Sequence, residues 1–150
     1  MQRIAFALAV ILAAGSAAAT ESADVMATVH QFVDGFNKGD AAAALAACAS
    51  PAAIVDEFAP YAWQGATACS DWANDFDANA KKNGITDSIV TLAKPRHVDV
   101  AGDRAYVVVP ADYNYRRNGK KTSQKGSLLT VALQKAPAGW RITGWAWSTH

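Results

Sequence analysis

The sequence predicts an α+β domain in which helices come first and a long antiparallel sheet follows. Three observations carry this. Apolar residues recur at helical spacing as far as Asn83, alternation with a period of two begins near Thr86, and the later segments are separated by Gly-containing turns of hairpin type. A chain of 150 residues is one domain's worth.

The N-terminus reads separately. MQRIAFALAVILAAGSAAAT has a basic start at Arg3, an apolar run from Ile4 to Ala14, and the small-residue stretch Ala17-Ala18-Ala19. That is the pattern of a secretory signal peptide, residues 1–19, leaving a domain over 20–150. The apolar run is shorter than the roughly 20 residues a spanning helix needs. The expected location is therefore the periplasm or the exterior, with no membrane attachment after cleavage. Removing Arg3, the leader's only charged side chain, turns 14 basic and 13 acidic residues into 13 of each. A neutral protein lacks the basic surface that nucleic-acid binding uses to displace counterions. The local cluster of Arg116, Arg117, Lys120, Lys121 and Lys125 around Asn118-Gly119 reads as a solvated hairpin tip or as an anion-docking patch.

The first helix of the domain carries the stripe Val25, Val29, Phe32, Val33 and Phe36, with Ser22 or Asp24 available as N-cap. Asn37-Lys38-Gly39-Asp40 ends it, with Gly39 at the left-handed stop and Asp40 capping the next helix. That second helix runs from Ala41 to about Cys48. Ala53–Phe58 reads as a short strand ended by Pro60. A third helix spans about Thr67 to Asn83, with Cys69, Trp72, Ala73, Phe76 and Ala80 on one stripe. Four strands are expected at Asp87–Val100, Arg104–Arg117, Ser123–Lys135 and Gly139–Thr149. In Tyr106–Val109 both strand faces are apolar, which calls for a cover on the second face, most simply another subunit.

Two cysteines in an oxidising compartment, Cys48 and Cys69, read as a disulfide, with two unpaired thiols as the alternative. The three histidines are widely separated, and neither a metal site nor a cofactor is expected.

The motifs QFVDGFNKGD (Gln31–Asp40), AAIVDEF (Ala52–Phe58) and GWRITGWAW (Gly139–Trp147), in this order and spacing, resemble the nuclear-transport-factor-2-like superfamily, in particular its SnoaL-like and ketosteroid-isomerase-like branches. The resemblance covers the whole domain. It implies a cystatin-like cone, three N-terminal helices packed on a curved antiparallel sheet around an apolar cavity, and commonly a homodimer through the outer sheet face. It also implies a carboxylate base at Glu57, with Asp56 beside it; on a regular strand only one of the two points inward. The oxyanion donors of the isomerase branch have no counterpart. Phe32 stands where a tyrosine is expected, and Leu129–Val131 contains no acid, which disfavours steroid isomerisation.

The remaining polar candidates are His97, paired with Asp99 on one strand face either as an acid–base couple or in solvent, and Tyr113 and Tyr115, as core or cavity residues. Trp63 and Trp145 complete the candidate ligand wall. Three of the five tryptophans, Trp140, Trp145 and Trp147, crowd the last strand. Simple alternation places Trp140 and Ile142 on one face and Thr143, Trp145 and Trp147 on the other. The function expected is uptake of a small apolar or amphipathic molecule. The alternatives are an isomerase or cyclase using Glu57 as general base, or a dimeric association module whose cavity is filled by side chains.

Overall fold

The computed structural model describes residues 11–149. Residues 1–10, with Arg3 and much of the expected leader, and His150 lie outside the described residues. Ten elements follow in order: α1 (Ile11–Lys38), α2 (Ala41–Ala46), β1 (Cys48–Val55), β2 (Ala62–Gly65), α3 (Ala68–Lys82), β3 (Ile85–Leu92), β4 (His97–Ala101), β5 (Arg104–Arg117), β6 (Lys120–Ala136) and β7 (Gly139–Ser148). No helix among the described residues is long and apolar enough to cross a membrane.

The seven strands form one sheet in the order β2-β1-β7-β6-β5-β3, with β4 paired to the other half of β5. The sheet is mixed rather than purely antiparallel, because β1 runs parallel to β7. The three helices are not contiguous either, since β1 and β2 precede α3. The strand expected over Asp87–Val100 is two strands, interrupted at Ala93–Arg96, where Pro95 removes a ladder donor.

Helix α1 is continuous through Ser22 and Asp24, so neither acts as its N-cap. Its stripe is buried as expected, Val25 and Val29 completely and Phe32 and Val33 nearly so. Its end is a Schellman stop: Gly39, at φ 66°, donates to Phe36 O, and Asp40 N donates to Gly35 O. The Asp40 carboxylate then accepts from Ala43 N at 3.0 Å and caps α2. Gly35 lies so close to α2 that a Cβ would meet Ala44 N at 2.6 Å. Asn37 ties α1 to the edge strand β3, donating to Val90 O and accepting from Val90 N at 2.8 and 2.7 Å.

Helix α2 stops two residues short of Cys48, which opens β1 instead. Cys48 and Cys69 form a disulfide with Cα atoms 6.7 Å apart, joining the start of β1 to the first turn of α3.

Candidate functional site

Inside the concave face of the sheet lies a cavity of about 290 Å³. Its walls come from the C-terminal half of α1, the chain leaving β1, α3, and the ends of β3, β5, β6 and β7 that lie furthest from the start of α1. Two irregularities decide which strand residues face it. In β7 an extra residue, Thr143, sits opposite the Ala132–Leu133 step of β6. This bulge reverses the alternation. Trp140 and Ile142 pair with Lys135 and Leu133, and Trp145 and Trp147 pair with Val131 and Leu129. All four therefore share the concave face, and the two opposed tryptophan sets expected from simple alternation do not exist.

The second irregularity lies between β5 and β6, where Lys125 and Gly126 oppose the single residue Asp112. Gly126 takes φ 69°, and the Asp112 carboxylate receives Gly126 N at 2.9 Å and Lys125 Nζ at 2.8 Å. Those bonds hold the Asp112 carboxyl below its ordinary range, the Lys125 contact contributing most. The bulge shifts the phase of β6, so Gln124, opposite Tyr113, points inward.

Aromatic rings form most of the wall. Trp72 of α3 stands edge-on to Trp145 at 4.8 Å and lies 5.9 Å from Phe32 and 5.6 Å from Phe76. Phe76 meets Phe36 at 5.0 Å, and Tyr113 stacks on Tyr115 at 4.6 Å with Trp147 edge-on to it. Phe32 and Leu129 also line the cavity, and neither side chain carries a hydrogen-bond donor.

The polar groups gather where β1 ends. Ala52 and Ile54 are buried and Val55 is exposed, so the inward phase of β1 continues to Asp56 rather than Glu57. Trp72 Nε1 donates to Asp56 Oδ2 at 2.8 Å, and Glu57 N donates to Oδ1 at 2.7 Å. Burial pushes the Asp56 carboxyl up despite these bonds, and the adjacent Glu57 charge pushes the same way. The strand has ended at Val55, so Glu57 also reaches the cavity, at its rim. There its carboxylate receives Gln124 Nε2 and, at 3.1 Å, Thr149 Oγ1. Both acids line the site, and the expectation that only one points inward fails because the chain leaves the sheet between Val55 and Asp56. Burial raises the Tyr113 hydroxyl against its bond to Ser88 Oγ at 2.9 Å, with the charges of Tyr115, Asp56 and Glu57 adding to the rise.

Of the residues anticipated from sequence, Asp56, Glu57, Tyr113, Tyr115 and Trp145 come together here. Trp63 does not line the cavity. It is buried behind it, against the Phe58 ring, with Nε1 donating to Asp75 at 2.8 Å. His97 lies exposed on β4, 5.9 Å from the Tyr106 ring and outside the cavity, because the interruption at Pro95 carries β4 to the far half of β5. Sequence reasoning missed Gln124, Arg117, the α3 residues Phe76 and Asn79, and the α3 C-cap Asn83 as lining groups. Phase inheritance along β1 would have preferred Asp56. Nothing local announces Gln124.

A curved sheet wrapped around a helix, with a third helix roofing an aromatic cavity, defines the nuclear-transport-factor-2-like class. Within it the chain belongs to the SnoaL-like domain family, which matches residues 25–149. Solved structures agree on the fold. A nuclear transport factor 2-like protein with a cystatin-like fold from Novosphingobium aromaticivorans has a TM-score of 0.72 at 18% identity, over 92% of this chain and 87% of that one. A nuclear transport factor 2-like superfamily protein from Salmonella enterica serovar Typhimurium has a TM-score of 0.73 at 17% identity, over 88% and 92%. A ketosteroid isomerase-like protein from Erwinia carotovora atroseptica has a TM-score of 0.67 at 17% identity, over 86% and 95%. No curated protein matches the chain.

Proposed function

We propose that this chain is an exported SnoaL-like domain that takes up a small amphipathic molecule in its cone cavity. The observation that carries this reading is the cavity itself: about 290 Å³ walled by aromatic rings, with the half-buried carboxylate of Asp56. Small-ligand sites combine apolar walls with a few convergent polar groups in this way. The association reading required side chains to fill this space; Trp63 and Trp140 lie outside the lining, and Tyr113 and Trp145 stand around it. Native mass spectrometry of protein isolated from its own host is the test. A co-purified molecule released on unfolding is expected, and failure of both this and tryptophan-quenching titration with small aromatic probes would overturn the reading.

Export rests on the leader pattern of residues 1–19 and on two structural facts. Ala17 to Thr20 are exposed, and the first buried residue among those whose burial is described is Val25, so cleavage after Ala19 removes no described core residue. The disulfide is compatible with an oxidising compartment. Intact mass of the exported protein should begin at Thr20.

A catalytic reading is favoured by one observation, the raised carboxyl of Asp56 inside the cavity, which suits a proton shuttle at an amphipathic substrate. Glu57 at the rim is the alternative base. In a turnover assay, Asp56→Asn and Glu57→Gln separate the two, and unchanged rates in both would remove the catalytic reading. On the outer face, Ile89 and Tyr106 are exposed at 43% and 46%. Homodimerisation through this face is expected, and a monomeric mass at micromolar concentration in light scattering would count against it.

A further inference from the structure

The cavity combines a charge imbalance with an aromatic wall, and together they specify a ligand class. Asp56 and Glu57 sit side by side, and among the described residues no lysine, arginine or histidine forms an ion pair with either. The ion pairs among the described residues lie elsewhere, at Lys81–Asp77, Arg104–Asp103, Arg116–Asp87, Lys125–Asp112 and Lys135–Glu21. The cationic side chain of the described lining, Arg117, stands over the Tyr115 ring at 5.7 Å.

Gln124 is oriented by Glu57. Its amide nitrogen faces the carboxylate, so its Oε1 faces away, and that buried oxygen has no donor among the described residues. Trp145, 6% exposed on the cavity wall, likewise has an Nε1 with no acceptor among the described residues. Both atoms are shut off from the cavity space. The rings of Trp72, Phe76, Tyr113 and Trp147 do line it, and aromatic faces attract organic cations.

We propose that the cavity selects an organic amine in its protonated form: a small aromatic or branched apolar body carrying an N–H cation. The ammonium group sits beside the Asp56 and Glu57 carboxylates, and the aromatic wall takes the apolar body. A neutral ligand leaves the two carboxylates uncompensated, and an anionic one adds repulsion to both. This inference rests on the ligand-binding reading above and narrows it.

Isothermal titration of the mature protein with three probes of matched size tests it: 2-phenylethylamine, 2-phenylethanol and phenylacetate, at neutral pH and low salt. The amine is expected to bind at least about tenfold more tightly than the alcohol, with phenylacetate the weakest. Asp56→Asn should lower amine affinity about tenfold and leave the alcohol nearly unchanged, and Glu57→Gln should do the same to a smaller extent. If the alcohol binds as well as the amine, the amine proposal fails while ligand uptake stands. If phenylacetate binds best, Arg117 is the anchor and the proposal fails in the same way. If none of the three binds, the amine proposal fails, and ligand uptake then stands or falls on the co-purification test. The comparison on the unaltered chain decides the matter even where a variant does not fold.

Discussion

The concave face of the sheet has a closed end and an open end, built from the same three long strands. At the closed end Ala105, Val107, Leu133 and Ile142 are buried against Val25 and Val29 of α1. Trp140 seals that end, with its carbonyl near the Thr28 hydroxyl and the Lys135 ammonium 5.7 Å over its ring. At the open end the same strands present Tyr113, Tyr115, Gln124 and Trp147, and the helices meet these residues with rings rather than with close-packed aliphatic side chains. Aliphatic residues interdigitate to interior density. Large flat rings held edge to face leave space between them. The contrast places close packing at one end and open space at the other.

The largest expected effect follows from breaking the closed end. Leu133→Ala should lower unfolding free energy by about 2–5 kcal/mol in denaturant titration, the range for a buried leucine, with amine affinity unchanged in the surviving folded protein. Trp147→Ala at the half-buried open end should do the opposite, lowering stability by about 1 kcal/mol and weakening probe binding several-fold. Equal stability losses in the two variants would erase the distinction. The disulfide spans both regions, since Cys48 lies beside Ile142 at the closed end while Cys69 begins the helix that roofs the open one. Reduction should lower stability by roughly 3 kcal/mol, the chain-entropy value for a loop of this length, as read by the shift in melting temperature with and without reductant.

The closed end was largely legible in the sequence and the open end was not. Val25, Val29, Ala105 and Val107 follow simple helical or alternating phase, and β5 spans Arg104–Arg117 as its pattern predicts. At the open end each misreading has a local cause. The bulge at Thr143 brought Trp145 and Trp147 to the face of Trp140, and the bulge at Lys125–Gly126 brought in Gln124. The end of β1 at Val55 let both acids reach the cavity. Periodicity assumes an unbroken ladder, and a bulge changes phase through backbone geometry that most sequences can adopt. Gly126 carries the one sequence mark of its bulge, through its positive φ. Gly126→Ala should therefore lower stability by about 1 kcal/mol. It should also weaken amine binding by displacing Gln124, whereas Gly102→Ala, at a positive-φ turn with nothing within 4 Å of its Cβ, should lower stability alike without touching affinity.

The smallest expected effect concerns pH and sharpens the division between the two ends. Asp56 has a folded carboxyl that burial raises above its unfolded value, so between those two values the folded state holds more protons than the unfolded one. Stability from this group is present below the unfolded value and is lost as pH rises through the folded one. An asparagine at this position keeps an oxygen to accept from Trp72 Nε1 and carries no charge to desolvate. The melting temperature of Asp56→Asn relative to the unaltered protein should therefore increase as pH is raised from 4 towards 7 (roughly the carboxylate range and above). Saturating 2-phenylethylamine should remove most of the Asp56→Asn advantage at neutral pH, because the bound cation compensates the charge that burial penalises. A relative melting temperature for Asp56→Asn that stays constant with pH would mean that the carboxylate is effectively solvated, and the open end would then lose the electrostatic feature that separates it from the closed one.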